Sequence, residues 1–378
     1  MKIIHLSDLH LGKRVNEFSL LEDQRYILGQ ILKIIEEESP LAVLIAGDVY
    51  DKTVPPAEAV ALFDSFISKL SALRTNVIII SGNHDSPERL SFGAAVMAKG
   101  GIHIAPVCCG KLSALTLEDE FGPVRFHMYP FVKPAQARAF FPDEEISDAR
   151  QAAERILKDA CADDGGRDVC VAHLFVAGSS RCDSEDAVAG GLDAVDAELF
   201  HRFDYTALGH LHGPQQFCGG RVRYCGSPLK YSFSEAAHKK SLTVAELRDK
   251  GSLSIRTVPL VPLRDMREIR GAYDELTDRS FYDGLNREDY FHITLTDEND
   301  IFEAAAKLRV IYPRLMRLDY DNRRTRAGTD GPSARGVENK TPLELFGELY
   351  EKQNGAAITA EQAAYLSAMI DKVWGDAQ

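Results

Sequence analysis

Four short strings hold most of the chain's metal-binding side chain types. They are Asp-Leu-His (Asp8, His10), Gly-Asp-Val-Tyr-Asp (Asp48), Gly-Asn-His-Asp (Asn83, His84, Asp85) and Gly-His-Leu-His (His210, His212), with a lone His173 between the last two. Seven or eight such donors are enough for two divalent ions, and a mixed imidazole, carboxylate and amide set suits manganese, zinc or iron better than calcium. Hydrolysis of a phosphodiester near neutral pH needs a strong nucleophile and neutralised phosphate charge. Two metals about 3.5–4 Å apart supply both, by holding a hydroxide and clamping phosphate oxygens. A shared site needs a central carboxylate, and Asp48, at the end of a strand, is the candidate bridge. Asp8 and His10 stand two apart, so both reach the same side of an extended chain end; His210 and His212 share that spacing. Asn83 adds a neutral oxygen and His173 another imidazole. His84, with Asp85 beside it, suits proton or hydrogen-bond donation to the phosphate. A neighbouring carboxylate favours its charged donor form, provided the two side chains meet.

Each string is common by itself, and His173 in Val-Ala-His equally fits a hydrogen-bonded core histidine. Their order, and the strand before each of the first three, carry the reading. Lys2–Leu6, 41–46 and 77–80 are apolar, β-branched runs bounded by turn residues, as buried parallel strands are. Donors at the C-terminal ends of successive strands converge on one crevice of an α/β sheet. Helical spacing follows over 21–38, ending at Ser39-Pro40, then over 56–73 and 88–99, the last stopped by Gly100-Gly101. Further strands are predicted at 168–172, 205–208, 222–224, 242–247 and 253–258, the last two as a hairpin around 248–251. Parallel strands early and antiparallel strands late predict an α/β, two-sheet sandwich with helices outside. His5, inside the first strand, reads as packing.

The pattern changes near residue 262. Residues 266–270, 273–279, 290–296, 301–311 and 315–320 read as a small β-α-β-α-β unit without metal-type motifs. Residues 324–340 are rich in Gly, Arg, Ser and Thr and read as a linker. Thr341-Pro342-Leu343-Glu344 and Thr359-Ala360-Glu361-Gln362 are two capping boxes, with a turn at Asn354-Gly355. The helices they open carry apolar stripes, Leu343, Phe346, Leu349 and Tyr350 on one and Leu366, Met369, Ile370, Val373 and Trp374 on the other. Two helices so short cannot hide both stripes, so they need a surface to dock on.

At 378 residues the chain exceeds one typical core. No run of eighteen apolar residues exists, so no membrane span is expected. The chain passes from Met1-Lys2 straight into a strand, and no signal peptide is expected. Seven cysteines without CxxC spacing point to reduced thiols in a cytosolic protein. The formal charge of −13 argues against a free-standing DNA binder held by basic residues alone. It leaves a nuclease open, because bound cations reverse the field where a phosphate sits.

The ordered set D-x-H, GD, GNH[DE], H and GHxH over residues 1–230 resembles the calcineurin-like metallophosphoesterases. Asp-Leu-His-Leu-Gly-Lys with Gly-Asp-Val-Tyr-Asp-Lys-Thr-Val-Pro-Pro, the segment 226–241 after Gly-His-Leu-His, and the 341–346 helix start resemble the branch formed by DNA-repair nuclease subunits. That resemblance implies Asp8, His10, Asp48 and His212 on one metal and Asp48, Asn83, His173 and His210 on the other, with His84 acting on the transition state. Archaeal and eukaryotic relatives often carry histidine where this chain has Asp51, which leaves that position's role open. The resemblance further implies a nuclease domain over 1–262, a capping domain over 263–323, a linker over 324–340, and a helical hairpin over 341–378 that binds the coiled coil of an ABC-type ATPase. It implies double-strand 3′-to-5′ exonuclease and hairpin or single-strand endonuclease activity on DNA. Manganese as metal, a homodimer within a heterotetramer, and a cytoplasmic place at the nucleoid belong to the same expectation. A phosphatase or cyclic-nucleotide phosphodiesterase would share the chemistry, and a non-catalytic scaffold for the ATPase would share the tail. The intact donor set disfavours the scaffold; the long C-terminal extension disfavours the others.

Overall fold

The computed structural model describes residues 1–158, 160, 165–185, 194–327, 341–354 and 356–375, with backbone alone for 352, 353 and 371–375. Its contacts divide the chain into two units, Met1–Met266 and Arg267–Gln378.

The first unit is a sandwich of two six-stranded sheets. In the first sheet the order is Leu253–Pro259, Ser241–Leu247, Lys2–Leu6, Ala42–Ala46, Asn76–Ile80 and Ile102–Ala105. The last four run parallel, and Ser241–Leu247 lies antiparallel to Lys2–Leu6. In the second sheet the order is Gln215–Phe217, Val222–Tyr224, Tyr205–Gly209, Arg167–His173, Gly122–Tyr129 and Ser113–Asp119, parallel in the middle and antiparallel at both edges. The expected split into early parallel and late antiparallel strands is therefore corrected. The late hairpin completes the first sheet, and each sheet mixes both pairings.

Alternate residues of each strand meet between the sheets: Ile3, Leu44, Ile78 and Ile80 against Phe126, Val169, Val171 and Tyr205, all buried. Small inward residues such as Ala42, Ala46, Ala207 and Ala245 let the layers approach closely. Outside the first sheet the helices Leu21–Glu38 and Ala57–Ala72 bury Ile27, Leu28, Ile31, Phe63 and Phe66. The helix Ala149–Leu157 joins a second core around Cys170, Leu208 and Tyr224. The architecture is α/β/β/α.

The helix expected over 88–99 is two short pieces, Pro87–Leu90 and Ala94–Met97, followed by a 3-10 turn. Gly93, at φ 75°, breaks it, and Phe92 and Val96 are left exposed. The hairpin Ser113–Tyr129 had no counterpart in the predicted elements.

In the second unit, Met266–Gly271, Tyr290–Leu295 and Leu315–Tyr320 form a three-stranded sheet. Helix Ala304–Ile311 covers a core of Leu276, Phe291, Ile293, Leu308 and Tyr312. The predicted 273–279 helix is instead two pieces, Tyr273–Thr277 and Arg279–Tyr282. Helices Pro342–Asn354 and Ala360–Gly375 follow. Both start on reciprocal caps: Thr341 N–H to Glu344 Oε2 at 2.7 Å with Glu344 N–H to Thr341 Oγ1 at 3.3 Å, and Thr359 N–H to Gln362 Oε1 at 2.9 Å with Gln362 N–H to Thr359 Oγ1 at 3.2 Å. Most of the expected linker (328–340), Cys161, Gly355, and the side chains of Val373 and Trp374 lie outside the described residues.

Candidate metal centre

Every candidate donor sits at or just past a strand's C-terminal end, where the two sheets face one another. Asp8 and His10 follow Lys2–Leu6, Asp48 follows Ala42–Ala46, and Asn83 and His84 follow Asn76–Ile80. From the second sheet, His173 ends Arg167–His173, and His210 and His212 follow Tyr205–Gly209. The glycines before these residues are steric necessities. A Cβ on Gly82 would stand 2.1 Å from Asp48 Oδ1, one on Gly47 would stand 2.3 Å from His173 Nδ1, and one on Gly209 would stand 1.8 Å from the Ala46 carbonyl oxygen.

The backbone is strained at the donors themselves. Asp8 (φ 53°), His10 (42°), Asp48 (49°) and His210 (104°) all have positive φ without being glycine. Such conformations cost roughly 1–3 kcal/mol each and gather at functional sites.

Asp48 lies at the middle. Its Oδ1 accepts from the His84 N–H at 2.9 Å, while Oδ2 lies 3.6 Å from His10 Nε2 and 3.4 Å from His173 Nε2. One oxygen thus faces two imidazole groups at once. On one side, His10 Nε2 faces His212 Nε2 at 3.1 Å, with Asp8 in the same group. On the other, His173 Nε2 and His210 Nδ1 each lie 3.0 Å from Asn83 Oδ1.

Partners farther out set the ring orientations. A carbonyl can only accept, so the contact of His173 Nδ1 with the Ala46 oxygen (2.8 Å) puts the hydrogen on Nδ1 and leaves Nε2 its lone pair. His212 Nδ1 meets Ser184 Oγ at 2.8 Å and Glu235 Oε1 at 3.3 Å, which leaves Nε2 facing the centre. Glu235 is anchored by Lys240 at 2.5 Å, and Lys240 also donates to the His212 carbonyl and to Ser227.

Electrostatics agree with a site built for cations. Burial drives the His210 pKa down to about 3 and that of His212 to about 4; it also lowers that of His10. These three rings are therefore neutral and offer lone pairs that could hold a metal ion. Burial and then the Asp48 charge leave Asp8 raised to about 8. Burial works against a charged His173, but Asp48 and Asp8 outweigh it and raise that ring to about 9. Carboxylates and imidazoles so crowded must share protons when no cation is bound. His10 Nδ1, buried without a hydrogen-bond partner and 3.6 Å from Asp51 Oδ1, belongs to the same crowding. By chemistry and convergence the donor set fits two divalent ions.

His84 and Asp85 part company in the fold. Both Asp85 oxygens accept backbone N–H groups, from Gly82 (2.9 Å), Tyr50 (2.9 Å) and Val49 (3.2 Å), so its carboxylate ties the second and third turns together. The His84 ring contacts the Asp51 carbonyl oxygen through Nδ1 at 3.0 Å and lies edge-on to His10, with centroids 4.8 Å apart. Any proton it delivers to a phosphate therefore leaves from Nε2. Reading by adjacency alone made Asp85 the partner of His84; its hydrogen bonds to three backbone amides make it a brace.

Sequence reading left the role of Asp51 open and passed over three further residues around the centre, Ser184, Glu235 and Arg181. Asp51 pairs with Lys13 at 2.8 Å. Ser184 and Glu235 hold His212. Arg181 stacks on Phe175 at 3.7 Å, and its positive charge helps keep His210 neutral. For Glu235 the signal in the sequence was segment 226–241, noted as a resemblance without roles; Arg181 and Ser184 stood in no motif.

His5 is a core histidine, bonded to Tyr205 Oη at 2.8 Å and to the Leu208 carbonyl at 3.1 Å.

Comparison with known proteins follows the same outline. Residues 1–214 match the family described as calcineurin-like phosphoesterase. Residues 262–354 match one described as Type 5 capsule protein repressor C-terminal domain. The chain is 35% identical over 322 residues to the D subunit of nuclease SbcCD from Staphylococcus epidermidis, covering 84% of this chain and 85% of that one. A solved dimetal phosphatase from Danio rerio aligns with TM-score 0.44 and 12% identity over 69% of this chain and 96% of its own. TT1561 of Thermus thermophilus aligns with TM-score 0.40 and 15% identity over 68% and 98%.

Proposed function

The chain belongs to the calcineurin-like phosphoesterase family, in the SbcD branch of nucleases, and from that premise we propose which DNA it cuts, with which residues and which partner. It is a metal-dependent phosphodiesterase of nuclease type. Our reading makes it a double-strand 3′-to-5′ exonuclease and a hairpin or single-strand endonuclease, working in repair beside an SbcC-like ATPase at the nucleoid. The observation that carries the chemistry is Asp48 Oδ2 set between His10 and His173.

We assign Asp8, His10, Asp48 and His212 to one ion and Asp48, Asn83, His173 and His210 to the other, with manganese as the working metal. Bound there, two ions would activate the attacking water and neutralise charge on the phosphate. The chain's own part is orientation. Asp85 holds two ligand turns in register, Glu235 and Ala46 fix the tautomers of His212 and His173, and the His84 ring presents Nε2 to the phosphate as hydrogen-bond donor. Residues 263–323 serve as a cap that guides DNA to the centre, and 341–378 dock the ATPase coiled coil in an assembly containing two copies of each chain.

The test is cleavage of linear duplex DNA with manganese, run beside a phosphomonoester and repeated with the ATPase. Metal-dependent DNA cleavage that the ATPase stimulates is expected. Hydrolysis of the monoester alone would replace this reading with that of a phosphatase.

A further inference from the structure

Next to the metal centre is a small apolar pocket of about 140 Å³ whose walls include Pro87, Pro106, Val107, Phe131 and Phe140. Its position follows from the fold. Phe131 comes two residues after Gly122–Tyr129 and Pro106 directly after Ile102–Ala105. Both therefore lie at strand C-terminal ends, on the edge that carries the metal donors. The Phe131 N–H donates to the Ser81 carbonyl at 3.0 Å, and the Ser81 hydroxyl donates to the Pro106 carbonyl at 2.5 Å, so the pocket is tied to the turn carrying Asn83 and His84. The Phe131 ring stands edge-on to the His173 ring, centroids 6.3 Å apart at 84°. Pro87 comes two residues after Asp85.

We propose that this pocket receives a nucleobase of the nucleotide at the scissile phosphate, so that base contact positions DNA for cutting. The inference rests on the DNA-nuclease reading given under Proposed function. No charged side chain lines the pocket, so a sugar-phosphate segment has nothing there to pair with. Its volume is far below the roughly 300–1,000 Å³ of sites for drug-sized ligands and suits one flat ring system. Val107 and Phe140 remain 43% and 41% exposed, so the rim of the pocket is open to an entering ring. Every base has a π-face, so stacking on Phe131 or Phe140 binds without demanding a sequence. A phosphate held at the metals brings its base to the same edge of the sandwich, which makes the occupant part of the substrate.

The test uses the full-length chain with manganese and a DNA oligonucleotide protected by phosphorothioates at all phosphates except one. Intact DNA is compared with versions carrying an abasic nucleotide on the 5′ or the 3′ side of that phosphate. One abasic position is expected to lower kcat/KM about ten-fold, equivalent to about 1.4 kcal/mol. In Phe140→Ala the abasic penalty should shrink towards one-fold. Ala139→Trp, which fills the pocket, should impose the penalty on intact DNA and leave abasic DNA unaffected. Equal cleavage of intact and abasic DNA by the wild-type chain overturns the pocket and leaves the nuclease standing. A full penalty in Phe140→Ala also overturns it, and if that variant changes oligomeric mass the surface belongs to self-association. A wild-type chain that cuts no DNA yet hydrolyses methyl 4-nitrophenyl phosphate overturns the DNA-nuclease reading itself, and the pocket with it.

Discussion

At Gly82 the absence of a side chain decides whether the centre can form. A Cβ there would overlap Asp48 Oδ1, 2.1 Å away, and Asp48 is the carboxylate between the two imidazole groups. Gly82→Ala should therefore displace the bridge by a fraction of an ångström. Such misplacement can cost about 100-fold in rate, with metal content falling; the same Cβ would stand 2.5 Å from the Asp48 backbone nitrogen, so the unfolding midpoint should fall as well. Full manganese occupancy in that variant, by elemental analysis, would mean that Asp48 does not bridge. His84→Gln tests the opposite case. Its ring should act on the phosphate, so activity should fall by about 10²- to 10⁴-fold with both ions retained. Asp48→Ala should lose ions and activity together. Metal lost from His84→Gln would move His84 among the ligands.

Strands and turns account for how distant residues meet, and they also staple the two sheets at the end away from the metals. Arg167, only 4% exposed, donates to the Asp119 carboxylate and, at 2.8 Å, to the Arg248 carbonyl, while the Met1 ammonium meets Asp119 Oδ2 at 2.5 Å. Asp119→Ala leaves that guanidinium buried without its carboxylate, and about 3 kcal/mol of stability should go with it. The pH dependence has a definite sign. Partial burial opposes ionisation of Asp119, but Arg167 and the N-terminus outweigh it and hold its pKa at about 2, below the roughly 3.9 of an unfolded chain. The stabilisation is thus fully present above about pH 4 and fades as pH falls towards about 2. Urea titrations of wild type and variant should differ most near neutral pH and converge in strong acid; a gap independent of pH would remove Asp119 ionisation as its source. The hairpin carrying Asp119 did have a sequence signal, the period-two alternation of Leu115, Leu117, Val124, Phe126 and Met128. The break in the 88–99 helix had one as well, Gly93, which takes a left-handed φ of 75° there.

For the whole molecule, the question is what covers the last two helices. Phe346, Leu349 and Met369 are 42%, 43% and 47% exposed, and no described side chain of either helix is buried. Phe346 and Tyr350 stack on one another, centroids 6.4 Å apart, and still face solvent. A docked coiled coil would cover these stripes as an amphipathic helix fits a groove. Deleting 341–378 should leave a folded nuclease that keeps metal-dependent cleavage and no longer co-purifies with an SbcC-like ATPase. Aggregation of the truncated chain, or undiminished co-purification, would show that the hairpin serves the chain's own core. The charge of −13 adds an expectation for the isolated protein, weak DNA binding without metal or partner. Nanomolar affinity with a steep salt slope would reveal a basic face that the net charge conceals.

The sequence by itself determined which residue types stand at the ends of which strands, because apolar runs and turn residues are local properties. From these came the α/β class, the donors Asp8 to His212 and both capping boxes, whose bonds span three residues. Tertiary structure alone decided which donors face each other. Asp48 meets His173 across 125 positions of chain, through the packing of one sheet on another, and no local pattern records that approach. The same holds for Asp85, adjacent to His84 in sequence but committed in space to the amides of Gly82, Val49 and Tyr50. It holds too for Glu235, which reaches His212 only because the chain folds back after the second sheet. Adjacency along the chain fixes neither direction nor distance for a side chain on a turn; the backbone conformation does, and at Asp8, His10, Asp48 and His210 it is one that only the assembled sandwich sustains.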